Sequence, residues 1–215
     1  ALFDELQHRG LEPDIIAYVA AISACERGAQ WEKALELFEE LEARGLEPNV
    51  ITYNAVISAC EKGGRWKKCM DLFAEMRQRG LEPDEITFSA VIDALESAKR
   101  VDEASSLFAA ARKRGHFPRL DSIVGALELH SLSSPVARTA VRAALKSLDV
   151  ASAQEDFVII TGRGERSIGG EPVLRPAILA LFRDEYASLD CAPDPANDGI
   201  LLVSAESLRA WVSSR

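Results

Sequence analysis

RGLEPD at Arg9–Asp14, RGLEPN at Arg44–Asn49 and RGLEPD at Arg79–Asp84 stand 35 residues apart, and a degraded fourth copy, RGHFPR, begins at Arg114. Beyond it the period stops. In each copy glycine suits the left-handed end of a helix, and the proline three residues later forbids its continuation. Each copy therefore closes one helix and leads into the next, with its leucine expected to pack under the turn.

Between the copies, each period divides into two helical patterns. The first reads IIAYVAAISACERG, VITYNAVISACEKG and EITFSAVIDALESA in successive periods. Tyr53, Val56, Ile57 and Cys60 fall at i, i+3, i+4 and i+7, one face of a helix. Gly28 and Gly63 suit its end. The second pattern reads WEKALELFEELEARG, WKKCMDLFAEMRQRG and VDEASSLFAAARKRG. Trp31, Leu35, Phe38 and Leu41 are expected to line its apolar face. Glu40–Arg44 and Glu75–Arg79 add surface pairs of a few tenths of a kcal/mol each. One such hairpin cannot bury its apolar face alone, so the period predicts stacked hairpins, a right-handed α-solenoid. The 34-residue tetratricopeptide repeat competes, but its Trp–Leu-Gly–Tyr pattern is missing.

The chain is 215 residues long and 47% hydrophobic, enough for one or two ordinary cores. No apolar run reaches the length of a membrane span, and no membrane association is expected. The net charge is −9, and both sides of Gly115 are acidic, so no bulk positive field attracts nucleic acid. The four cysteines read as buried free thiols, since Cys25 and Cys60 occupy equivalent repeat positions. No signal or transit segment is visible. Ala1 aligns with Glu36 in the repeat frame, which suggests the C-terminal part of a longer protein.

The unit VITYNAVISACEKGGRWKKCMDLFAEMRQRGLEPD resembles the pentatricopeptide repeat over residues 1–119, half a repeat and three complete ones. The resemblance implies binding of single-stranded RNA, one base per repeat, in a chloroplast or mitochondrion. It places Ile16, Ile51 and Ile86 where the family sandwiches bases; plain core is the competing reading for three isoleucines at this period. The edge-reading positions are Val19 with Asn49, Asn54 with Asp84, and Ser89 with Arg119. Asn54 offers a donor and an acceptor, enough for a pyrimidine edge, with Asp84 orienting it directly or through water. It is expected to project from the groove face and not into the inter-repeat core. Val19 has no hydrogen-bonding group, and Ser89 with Arg119 fits no clear pairing. Ordinary turn and cap chemistry competes for Asn54 and Asp84.

After Arg119 the pattern changes. GALELHS reads as a short strand ending in histidine, SSPVARTAVRAALKSL as a helix with Ser134 as N-cap, and DFVIITGRGERS as a strand running into a glycine-containing loop. VLRPAILALFRDEYASL is a helix if Pro176 lies in its first turn. DGILLVSAESLRAWVSS is a strand, then a helix starting at Ser204 or Ser207. Alternating strands and helices make residues 120–215 a small α/β sandwich. The loop after a strand presents backbone N–H groups to a phosphate, with Arg163 and Arg166 in support.

The pair LELH and TGRGERS resembles the small MutS-related domain, over residues 124–215. Glu128 and His130 fall in its first motif, and Thr161, Gly162, Arg163 and Gly164 in its second. Some relatives cut nucleic acids and others only bind them. Glu128 stands where the family usually has aspartate, which extends the carboxylate by one methylene. His130 has the chemistry of a general acid or base near neutral pH; a solvated Glu128 and a structural His130 are the competing readings. The leading expectation is an organellar RNA-binding protein acting in RNA processing or stability. A repeat-directed RNA endonuclease, with Mg²⁺ at a site of unknown ligands, is the second; its cleavage is expected to be weak or absent. A scaffold for other organellar proteins is the third. No cofactor is otherwise implied.

Overall fold

The computed structural model describes residues 3, 10, 12–117, 126–149, 152–162 and 172–214. Three helical hairpins come first. They comprise α1 (Ile15–Arg27) with α2 (Trp31–Ala43), α3 (Val50–Lys62) with α4 (Trp66–Gln78), and α5 (Glu85–Ser97) with α6 (Val101–Lys113). The last residue of the opening motif is the N-cap of each first helix. The side chains of Asp14, Asn49 and Asp84 accept from the backbone N–H groups of Ala17, Thr52 and Thr87 at 2.9, 3.0 and 2.9 Å. In the second and third hairpins the threonine hydroxyl accepts in return from the cap's own N–H, completing a capping box.

Termination is equally regular. Gly45 and Gly80 take φ of +75° and +76° after the second helices, where a left-handed residue lets Leu46 N and Leu81 N return to Leu41 O and Met76 O. The two leucines lie half-buried beneath those turns. Within each hairpin the left-handed residue is Ala29, Gly64 or Lys99, so only one of three equivalent turns has glycine there.

In the first two hairpins the first helix packs on its own second helix and on the next first helix: α1 on α2 and α3, and α3 on α4 and α5. The shared core repeats with the sequence. Tyr18 and Ile22 in α1, Tyr53, Val56, Ile57 and Cys60 in α3, and Phe88, Val91, Ile92 and Leu95 in α5 are buried. Aromatic pairs recur at the same interval, Phe3–Tyr18, Phe38–Tyr53 and Phe73–Phe88, with centroids 5.0, 5.2 and 5.6 Å apart. The face of α2 is rotated from the expected one. Ala34, Leu37, Phe38 and Leu41 are buried, whereas Trp31 and Leu35 are half-buried. Trp31 lies at the hairpin's edge, with the Arg65 guanidinium 4.4 Å above its ring.

The chain divides into two compact units, residues 1–104 and 105–215, and the division falls within α6. The expected boundary at 119/120 lies outside the described residues. The second unit holds β1 (Ala126–Glu128), α7 (Ser134–Ser147), β2 (Phe157–Ile160), α8 (Leu174–Glu185), β3 (Cys191–Asp194), β4 (Asn197–Val203) and α9 (Ala205–Ser213). The sheet order is β1-β2-β4-β3, with β1 and β2 parallel and the other two pairs antiparallel. Leu127, Ile159, Leu201 and Val203 from the sheet, and Val141, Leu145, Ile178 and Phe182 from α7 and α8, are buried.

Two local readings change. The N-cap of α7 is Ser133, not Ser134. Ser133 is extended and accepts from Val136 N at 3.3 Å, while Pro135 in the first turn has no N–H to cap. β3 was not anticipated: Cys191–Asp194 contains Pro193 and does not alternate, and it survives as a strand because it sits at the sheet edge. Pro176 lies in the first turn of α8, and Ser204 caps α9.

All four cysteines are free thiols, three of them buried. Burial pushes the Cys60 and Cys69 thiols up to about 11 and about 12. Among the described residues, no helix is long and apolar enough to cross a membrane.

Candidate functional site

Ile16, Ile51 and Ile86 each occupy the second position of a first helix. They are 73, 64 and 61% exposed. The buried aromatics Tyr18, Tyr53 and Phe88 stand two residues later, about 200° around the helix, so the isoleucines face away from the core. The period that reads as core in the sequence is here a row of β-branched apolar side chains in solvent.

Asn54 lies one turn beyond Ile51 on the same side of α3. It does not stand open in the groove, as the spacing suggested: only 9% of it is exposed, because the start of α5 lies over it. Its Nδ2 donates to Asp84 Oδ1 and Oδ2 at 3.1 and 3.0 Å, a direct contact that needs no water. Its Oδ1 accepts from the Thr87 hydroxyl at 2.5 Å. Asp84 thus caps α5 and holds the amide of the preceding repeat. The amide retains one N–H and one oxygen lone pair for another partner.

The neighbouring positions differ. Val19 is half-buried in α1, and exposed Asn49 caps α3 with no amide opposite it. Ser89 is half-buried in α5. Its counterpart Arg119 lies outside the described residues. The residue that spacing alone missed is Thr87. Its signal was present in the repeated Pro-Asp/Asn-x-x-Thr, which also supplies Thr52.

In the second unit, the ends of the parallel strands β1 and β2 bring the two motifs together. Glu128 pairs with Ile160 in the ladder, and Leu129 N donates to Ile160 O at 2.8 Å. Exposed Glu128 closes β1, while exposed His130 lies in the turn beyond it, two residues past the strand's end. Gly162 has φ +76°, and a side chain there would meet His130 Cβ at 3.3 Å. Thr161 is buried, and its hydroxyl and N–H both donate to Gly199 O on β4, at 3.2 and 2.9 Å. Thr161 therefore ties the loop to the sheet. Arg163, Gly164 and Arg166 lie outside the described residues. Among the described residues, no three His, Cys, Asp or Glu side chains cluster as metal ligands.

Family models match the stretch that forms these hairpins. A pentatricopeptide repeat domain model matches residues 1–65, a PPR repeat family model residues 48–97, and a PPR repeat model residues 86–116. Residues 1–116 are pentatricopeptide repeats.

The crystal structure of the pentatricopeptide repeat protein PPR10 from maize is similar in fold, with 23% identity over 87% of this chain and a TM-score of 0.55. PPR10 in complex with an 18-nt psaJ RNA element is 30% identical over 70% of this chain, with a TM-score of 0.49. The chain spans 26% and 21% of those two chains. No curated protein matches it.

Proposed function

We propose that the pentatricopeptide repeats of this chain bind single-stranded RNA along the starts of their first helices, in RNA processing or stability within a chloroplast or mitochondrion. The observation that carries this reading is the row of exposed Ile16, Ile51 and Ile86, with the Asn54–Asp84 pair beside Ile51. Three isoleucines exposed at equivalent positions leave apolar surface without a use in the fold, and the flat faces of unstacked bases supply one. Asn54, held by Asp84 and flanked by Ile51 and Ile86, takes a pyrimidine, uridine before cytidine. Val19 gives its repeat little discrimination.

The chain's net charge is −9, so affinity rests on stacking and base edges more than on phosphates. Labelled single-stranded RNA titrated by fluorescence anisotropy at several salt concentrations tests this. The expected outcome is binding with a shallow salt slope, each phosphate contact adding roughly −0.7 to it. No binding at low salt overturns the reading and favours a scaffold for other organellar proteins.

For the second unit, the parallel β1 and β2, with LELH at the end of one and Thr161-Gly162 at the end of the other, support a small MutS-related domain that contributes nucleic-acid binding. A second reading is endonuclease activity, favoured by His130 standing against Gly162. Under it, Glu128 and His130 act on the phosphodiester and a divalent ion such as Mg²⁺ assists. Glu128 in place of the family's usual aspartate favours binding without efficient cleavage. Incubation with single-stranded RNA and Mg²⁺ decides: robust cutting that disappears in His130→Ala promotes the nuclease.

A further inference from the structure

We propose that Thr87 is a positioning residue that fixes the orientation of Asn54 and so sets the base preference of that repeat; the proposal rests on the RNA-reading role of Asn54 given above. The hydroxyl of Thr87 has one proton and two acceptors within reach, Asn54 Oδ1 at 2.5 Å and Asp84 Oδ1 at 2.9 Å. Asp84 Oδ1 already accepts from Thr87 N and Asn54 Nδ2, at 2.9 and 3.1 Å. The shorter contact, to the less occupied acceptor, takes the proton. Thr87 is fully buried, so water does not compete for this bond.

The two partners of Asn54 define opposite ends of its amide. Asp84 accepts from the nitrogen and Thr87 donates to the oxygen. Rotating the amide by 180° would set its oxygen against a carboxylate and leave the Thr87 hydroxyl only the already crowded Asp84 Oδ1 to donate to. With both partners present, one order of donor and acceptor faces the groove. Without the Thr87 hydroxyl, Asp84 still attracts the nitrogen, but the oxygen end is free to swing. Loss of one such bond corresponds to roughly 0.5–1.5 kcal/mol, or about a two- to tenfold change in preference.

The chain contains its own control. Thr52 is the equivalent residue one repeat earlier, also fully buried. Its hydroxyl accepts from Asn49 N at 3.3 Å and donates to Asn49 Oδ1 at 3.1 Å, the same capping box. The counterpart of Asn54 one repeat earlier is Val19, which has no amide to hold. Removing either hydroxyl weakens one cap, but only Thr87 loses a grip on a reading side chain.

The test uses the full chain and a pool of single-stranded RNA with a randomised central tract, sequenced before and after binding. Wild type is expected to enrich a pyrimidine at one position. Thr87→Val is expected to lower that enrichment by about two- to tenfold, Thr87→Ser to restore it, and Thr52→Val to leave it within about twofold of wild type. Melting curves for the two valine variants should fall by similar amounts. Enrichment unchanged in Thr87→Val, or reduced equally in Thr52→Val, overturns the role of Thr87. A wild type that enriches no base at any position overturns the reading role of Asn54 itself.

Discussion

Tyr53→Phe removes one hydroxyl from the centre of the repeat array. Tyr53 is fully buried, and its hydroxyl donates to Glu75 Oε1 on α4 at 2.8 Å. Tyr18 makes the same bond to Glu40 at 2.9 Å. In the third hairpin the pair becomes Phe88 and Ala110, so that repeat dispenses with both partners together. A hydrogen bond to a charged group contributes about 1.5–3 kcal/mol when desolvated. Glu75 is partly exposed and also meets Arg79 at 2.8 Å, so water and that guanidinium satisfy the orphaned carboxylate, and the cost falls to about 1 kcal/mol. Tyr53→Phe alone should therefore lower the melting temperature of the first unit by about 4–8 °C. Tyr53→Phe with Glu75→Ala should cost less than the sum of the single changes, because the double variant reproduces the third hairpin. Trp31 and Trp66 report on the first unit by fluorescence, while Trp211 reports on the second. An additive double variant, or a Tyr53→Phe protein as stable as wild type, would refute a stabilising role for the cross-hairpin bond.

Gly63→Ala drives a Cβ into Trp31 Cδ1 and to 2.9 Å from Trp31 Cβ, so the whole indole must withdraw. A loss of about 1–2 kcal/mol is expected from urea unfolding, relieved in Gly63→Ala with Trp31→Leu; Ala98 and Trp66 at the equivalent positions one repeat later argue for the lower end. Lys99 has φ +59°, so Lys99→Gly should stabilise the chain by up to about 1 kcal/mol in the same assay, and a loss of stability would show that the lysine side chain matters more than its backbone. In the second unit, the Arg142 guanidinium donates to both oxygens of Glu185, at 2.7 and 2.6 Å, and holds that carboxyl below its ordinary range. The stability this gives is present above the ordinary carboxylate pKa and is lost as pH falls through the depressed value. Wild-type melting followed by Trp211 should thus drop on acidification below about pH 4.3 more steeply than in Glu185→Gln, and parallel curves would contradict the assignment.

The repeat array was legible because the 35-residue period writes its stop signals explicitly, and glycine, proline and cap residues act locally. What depended on a neighbouring repeat was not. The burial of Asn54 follows from α5 lying over it, which a single helix pattern cannot reveal. The exposure of Ile16, Ile51 and Ile86 was ambiguous because an apolar residue at a fixed period fits a core as well as a groove; its direction relative to Tyr18, Tyr53 and Phe88 decides. Thr87 drew no reading from the spacing, and its bond to Asn54 becomes visible only when two repeats are placed together. In the second unit, strongly patterned β2 and β4 were readable, whereas β3 owes its strand form to pairing with β4 and not to its own sequence.

Photo-crosslinking with a 4-thiouridine-containing single-stranded RNA, with the attachment sites mapped by mass spectrometry, reports directly where RNA touches the chain. The starts of the first helices should carry the adducts, in peptides spanning residues 49–54 and 84–89, and Ile51→Ser should reduce them without changing the melting temperature, since Ile51 is already 64% exposed. Adducts confined to the second helices, around Trp31 and Trp66, or an Ile51→Ser chain that crosslinks as well as wild type, would contradict RNA binding along this row.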